Sequence, residues 1–185
     1  MKKFFTVVIA VILVILTVTP FAQTLTQIKQ RGKLIVGTEP TFPPFEFVDE
    51  KNQVVGFDID IAMELAKRLG VKLEIVSLPF DSLIPALQQG KIDLAIAGMT
   101  ITEERAKVVD FSKPYFEANQ AIVVRKDSKF EPKKLEDLVG KKVAVQLGTT
   151  GDLVVSDITG INVVRFQKFT DAFLELQNGR VDKVS

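Results

Sequence analysis

Arg105 stands directly behind Glu103 and Glu104 in the first turn of a predicted helix. A cation there opposes the helix dipole by about 0.3–1 kcal/mol, so a nearby anion makes better sense of it. Two partners are open. One is a local pair with Glu103 or Glu104 on a solvated face; the other is a bidentate grip on a ligand carboxylate. The run Leu94-Ala95-Ile96-Ala97 just ahead is short and apolar, as a buried strand of a parallel sheet should be. Gly98-Met99-Thr100 follows, and Gly98 lets the backbone come close to another group. Thr100 with Glu103 has capping-box spacing, and Thr102 before Glu103-Glu104 is an equally good helix start. On either reading, free N–H groups lie past the carboxyl end of a strand, where open α/β sheets bind anions.

The same layout recurs at Gly148-Thr149-Thr150, after the predicted strand Lys142-Val143-Ala144-Val145 and before a helix over 152–157. One such turn is common in any α/β protein. Two of them, together with the stiff aromatic loop Glu39-Pro40-Thr41-Phe42-Pro43-Pro44-Phe45, point to a cleft between two units.

The elements that must position these residues follow from periodicity. Lys33–Gly37 reads as a first buried strand. Residues 59–69 carry Ile61, Leu65 and Leu69 on one helix face, and Gly70 ends that helix. Lys72–Ser77 alternates as a strand, Phe80–Gln89 is a second helix, and 91–97 returns to the sheet. Strand, helix, strand, helix, strand predicts a parallel wound sheet. Gln120–Arg125 reads as a β-branched strand at the changeover, and the pattern then restarts. A short helix spans 135–138, a strand 162–166 and a helix 170–177, with a last strand from Val181.

The formal net charge of +1, with 25% charged and 46% hydrophobic residues, argues against a nucleic-acid binder and against disorder. With no histidine and no cysteine, Ser-His and Cys-His mechanisms are excluded, and so are a disulfide framework and the usual zinc sites. No cofactor is called for. Met1-Lys2-Lys3, followed by the apolar run Phe4–Val18 and Pro20, has the form of a secretory signal over 1–22. Export to the periplasm is the corresponding expectation. An uncleaved anchor is the alternative, since Phe4–Ala22 nearly reaches the roughly 20 residues a bilayer requires.

Several runs carry a family resemblance in the same order along residues 32–182. They are Val36-Gly37-Thr38-Glu39 through Phe47, Gly56-Phe57-Asp58-Ile59-Asp60, Phe80-Asp81-Ser82-Leu83, Asp93 to Arg105, and Asp110-Phe111-Ser112. Together they resemble the polar-amino-acid-binding proteins of bacterial ABC importers, and most nearly the arginine-binding subgroup. The resemblance implies an α/β, two-lobed fold of the type II periplasmic-binding-protein kind, with lobe one over 23–118 and lobe two over 119–185. It implies that Arg105 grips the ligand α-carboxylate, helped by Ala97, Gly98, Met99 and Thr100 and, from lobe two, by Gly148, Thr149 and Thr150. Phe42 and Phe80 match the aromatic pair that sandwiches the ligand side chain. Glu39 matches the acid facing its distal end. Many relatives have Ser where this chain has Ala97.

The implied ligand is a basic amino acid, most nearly L-arginine, and the implied partner is an ABC permease. No chemistry is implied. An anchored sensor ectodomain or a dehydratase-type enzyme on the same fold are the alternatives. An Asp for the ligand α-amino group is expected beyond Ser185, and so is a return of the chain to lobe one. The sequence therefore reads as C-terminally truncated, with an apolar face open to self-association.

Overall fold

A computed structural model of the chain describes residues 25–185. The proposed signal and anchor segment lies outside the described residues. Among these, no helix is long and apolar enough to cross a membrane.

The first lobe begins with helix α1 (Leu25–Arg31), strand β1 (Lys33–Thr38), and three short strands β2 (Thr41–Phe42), β3 (Glu46–Val48) and β4 (Val54–Val55). Helix α2 (Phe57–Leu69), strand β5 (Lys72–Ser77), helix α3 (Leu83–Gln88), strand β6 (Leu94–Ala95) and the single-turn helix α4 (Glu103–Ala106) follow. β1 lies between β5 and β6, parallel to both. Side chains alternate across this strand. Leu34 and Val36 pack with Ile28, Ala62, Ala66 and Ile96 on one face, while Ile35 packs with Phe80, Leu83, Ala86 and Ile92 on the other. The carboxyl ends of β1 and β6 are thus fixed between two helical layers. At the other end of β6, Asp93 ties the strand to β1 and α1, taking the Ile35 N–H at 2.8 Å and pairing with Arg31.

The second lobe repeats the plan with strand β7 (Lys142–Gln146), helix α5 (Thr150–Ser156), strand β8 (Asn162–Phe166), helix α6 (Phe169–Gln177) and strand β9 (Lys183–Val184). β7 is central and parallel to β8 and β9. Ala144 faces Ala172 and Leu176 of α6, and Val143 and Val145 face Val155 of α5.

Several elements differ from the sequence expectation. Gln120–Arg125 is no strand. Val123 makes one antiparallel bridge to Val184, so β-branched composition here found a partner at a single position. β6 spans only Leu94–Ala95, although the Ile96 N–H still donates to the Gly37 carbonyl at 3.0 Å and Ile96 and Ala97 keep to opposite faces of the sheet. The most buried face of α2 is Asp58, Ile59, Ala62 and Ala66; Ile61 and Leu69 of the expected stripe pack half-buried against that core, and Leu65 is exposed. The small Ala62 and Ala66 let α2 lie close to the sheet, so the stripe is centred on them. The 135–138 segment is a 3-10 turn. The loop after β1 is built from β2 and β3, which join β4 in an antiparallel sheet of their own.

Candidate functional site

The two lobes meet where the strands of both sheets end. Thr102 is the N-cap of α4, its hydroxyl accepting the Arg105 N–H at 3.2 Å, so of the two helix starts the later one forms. This leaves the Arg105 guanidinium free to reach across. Nη1 donates to the Thr100 carbonyl at 2.7 Å, and Nη2 to the Gly148 carbonyl of the other lobe at 2.8 Å. The guanidinium carbon lies 5.5 Å from the centre of the Phe80 ring. Among the described residues no carboxylate pairs with Arg105, so the local pair with Glu103 or Glu104 does not form. Burial pushes its pKa below the usual guanidinium value, as expected of a cation held away from water.

On the lobe-two side, Thr149 caps α5. Its hydroxyl accepts the Asp152 N–H at 3.2 Å and donates to the Gln146 carbonyl at 2.8 Å. The Gly148 N–H goes to Asp152 Oδ2 at 3.1 Å, and Asp152 is itself held by Arg165. Thr150 Oγ1 lies 3.3 Å from Thr100 Oγ1 and accepts from Gln120 Nε2 at 2.8 Å. Thr100 and Thr150 therefore meet across the lobes, whereas the Thr149 hydroxyl is taken up by its own helix.

Glu39, just past β1, is 5% exposed. Its Oε2 accepts from Thr41 Oγ1 at 2.6 Å and from Gln146 Nε2 at 2.9 Å, the latter crossing from lobe two. Thr41 Oγ1 in turn accepts the Phe169 N–H at 3.1 Å. Phe42 stacks on Phe45 at 5.7 Å and meets Phe169 edge-on at 5.3 Å. Phe42 thus sits beside lobe two's aromatics, while Phe80 lies under Arg105. Ala97 and Met99 pack into the lobe-one core beside Phe80.

The Gly98 N–H, expected to face a ligand, instead goes to Asp58 Oδ2 at 2.9 Å, with the Tyr115 hydroxyl at 3.2 Å. Asp58, Tyr115 and Glu46 were not among the sequence candidates, and neither were Gln146 and Asp152. By position Asp58 is a first-turn acid of α2. Gln146 carried a usable signal, a polar residue at the carboxyl end of an otherwise apolar strand. Glu46 is buried in β3, and burial followed by the charge of Asp58 pushes its pKa up to about 10. Chemically, the cleft offers one desolvated guanidinium on an aromatic face and one buried carboxylate, with hydroxyls between the lobes.

Comparison with known proteins places this geometry. The family model described as bacterial extracellular solute-binding proteins, family 3, matches residues 34–179. ABC transporter arginine-binding protein 1 of Escherichia coli (strain K12) is 39% identical over 153 residues, 82% of this chain and 62% of its own length. Among solved structures, the arginine-bound form of truncated ArgBP (residues 20–233) from T. maritima is 66% identical with a TM-score of 0.85. It covers 86% of this chain and 75% of its own. An ancestral arginine-binding protein bound to glutamine is 61% identical, with a TM-score of 0.80 over 83% of this chain and 68% of its own. The chain spans about three fifths of the length of the curated relatives it matches.

Proposed function

Because the chain belongs to the bacterial extracellular solute-binding proteins, family 3, we propose that it captures a basic amino acid, L-arginine by preference, between its lobes. Its two parallel sheets lie in the two lobes of a type II periplasmic-binding-protein fold, with the boundary taken near residue 118. It would act outside the cytoplasm and deliver its ligand to the permease of an ABC importer. The relatives named above are binding proteins, and the role proposed is binding without chemical change.

One observation carries the reading: Arg105, buried, without a carboxylate partner among the described residues and seated on Phe80, donates into the cleft toward lobe two. A ligand carboxylate would replace backbone carbonyls with a full charge, and a charge-assisted bidentate pair is about twice as strong as neutral hydrogen bonds. Glu39 supplies the opposite charge for the distal cation. The Phe42 and Phe80 rings supply faces on which a planar guanidinium gains roughly 0.5–2 kcal/mol each. Ligand binding would stabilise the closed arrangement of the lobes through contacts made only there.

Calorimetric titration with L-arginine and L-glutamate is the test. Arginine should bind at least tenfold more tightly. Equal affinities, or a preference for glutamate, would refute the assignment of Glu39 to the ligand cation.

A further inference from the structure

Glu46 and Asp58 are fully buried carboxyls on neighbouring elements, 2% and 0% exposed. Gly56 brings them together. At φ +128° any Cβ there would stand 2.3 Å from the Phe45 carbonyl oxygen, and that same carbonyl accepts the Asp58 N–H at 2.9 Å. The start of α2 is thereby pressed onto the loop before β3, and the Glu46 carboxyl meets that of Asp58.

One oxygen of each group, Glu46 Oε2 and Asp58 Oδ1, is buried with no donor from another residue within hydrogen-bond reach among the described residues. Two buried carboxylates in contact do not both stay ionised, and one proton between them resolves both the repulsion and the missing hydrogen bond. The groups acting on Glu46 are Asp58 from α2, Glu39 from the end of β1, and the Tyr115 phenol. None of them is cationic.

Asp58 is the hinge of the matter, because its other oxygen, Oδ2, accepts both the Gly98 N–H and the Tyr115 hydroxyl, each at 2.9 Å. Gly98 opens the segment whose Thr100 carbonyl fixes Arg105 Nη1. We propose that Glu46 is a positioning residue of the binding site, holding a proton shared with Asp58 that keeps the Asp58 carboxylate on the Gly98 N–H and so keeps Arg105 aimed at the ligand carboxylate. This rests on the ligand site proposed above. Loss of the proton to solvent at alkaline pH leaves two like charges buried side by side. Asp58 is then driven off Glu46, and the Gly98 segment moves with it.

Carbon-detected NMR of the ligand-free chain between pH 4 and 10.5 tests this directly, following the Glu46 carboxyl carbon and the Gly98 backbone nitrogen. The Glu46 resonance should stay still while exposed carboxyls titrate and move only at alkaline pH, and Gly98 should move with the same midpoint. In Glu46→Gln, which keeps a neutral donor, Gly98 should not move. A Glu46 that titrates with the surface glutamates, or a Gly98 that ignores it, overturns the proposal; if the variant does not fold, the wild-type titration decides.

The binding arm compares L-arginine affinity at pH 7 and pH 10. Titration of the ligand's own amino group is common to both proteins, so it cancels in their ratio. Wild type should lose at least tenfold more affinity than Glu46→Gln, and equal losses would overturn the role in positioning. A chain that binds no arginine at either pH refutes the ligand assignment, while the ligand-free titration still decides the proton.

Discussion

Arg105 donates to the carbonyl of Gly148 at 2.8 Å, a hydrogen bond between residues 43 positions apart and on different lobes. The most buried cation at the cleft therefore touches both halves of the fold. It does so with backbone oxygens that a ligand carboxylate can outbid.

Removing that cation should abolish tight binding. Arg105→Ala leaves a desolvated ligand carboxylate without its partner, and the expected loss is about 3–5 kcal/mol of binding free energy by calorimetry. Affinity within a factor of three of wild type would remove Arg105 from the site.

Glu39→Gln keeps the shape and removes the charge. Affinity for L-arginine should fall by at least tenfold, while affinity for L-glutamine suffers less. The comparison has a natural reference, since a 61% identical ancestral protein was solved bound to glutamine. Equal losses for the two ligands in competition binding would make Glu39 a brace for Gln146 and Thr41 only.

Gly148 has φ +77°, and a Cβ there would stand 3.1 Å from Asp81 Cβ of the other lobe. Gly148→Ala pays about 1 kcal/mol for the left-handed backbone and also holds the lobes apart. Small-angle scattering should show a larger radius of gyration than wild type. An unchanged radius, with unchanged thermal midpoint, would mean the turn relaxes at no cost.

Glu46 gives a pH dependence of stability with a definite sign. Its folded pKa, about 10, is raised above the ordinary carboxyl value of 4.5, so between these the folded state holds a proton that the unfolded state has lost. Stability from this group is complete below the unfolded value and falls as pH rises toward the folded one. Glu46→Gln cannot ionise and escapes that loss. At pH 8 it should melt higher than wild type by at least about 1 kcal/mol, or some 2–4 °C for a chain of this size, with the two converging at pH 4. A wild-type melt that is level from pH 5 to pH 8 would contradict the shared proton.

The wound α/β plan was legible because each strand and helix carries its own period. β1, β5, β7 and β8 fall where alternation and apolar runs put them. What sequence could not give was the partner of each polar group. Gly98 and Thr149 looked like free donors at strand ends, yet Asp58, forty positions back, takes the Gly98 N–H, and α5 takes up the Thr149 hydroxyl. Those are tertiary and capping choices that local spacing leaves open. Gln120–Arg125 failed as a strand for the same reason, since β propensity reports fit to a sheet and only Val123 has a neighbour to pair with. Glu46 was invisible because it reads as one acid in an aromatic loop until α2 folds Asp58 against it.

The central claim, that the cleft recognises a basic amino acid, is tested most directly by the thermal midpoint of the chain with each of the twenty L-amino acids at 10 mM. Stabilisation follows RT ln(1 + [L]/Kd), so even a millimolar site gives about 1.4 kcal/mol, a rise of roughly 3 °C or more. Arginine should give the largest rise, with lysine next and glutamate and leucine near zero. A chain that no amino acid shifts, or one that glutamate or leucine shifts as far as arginine, would contradict it.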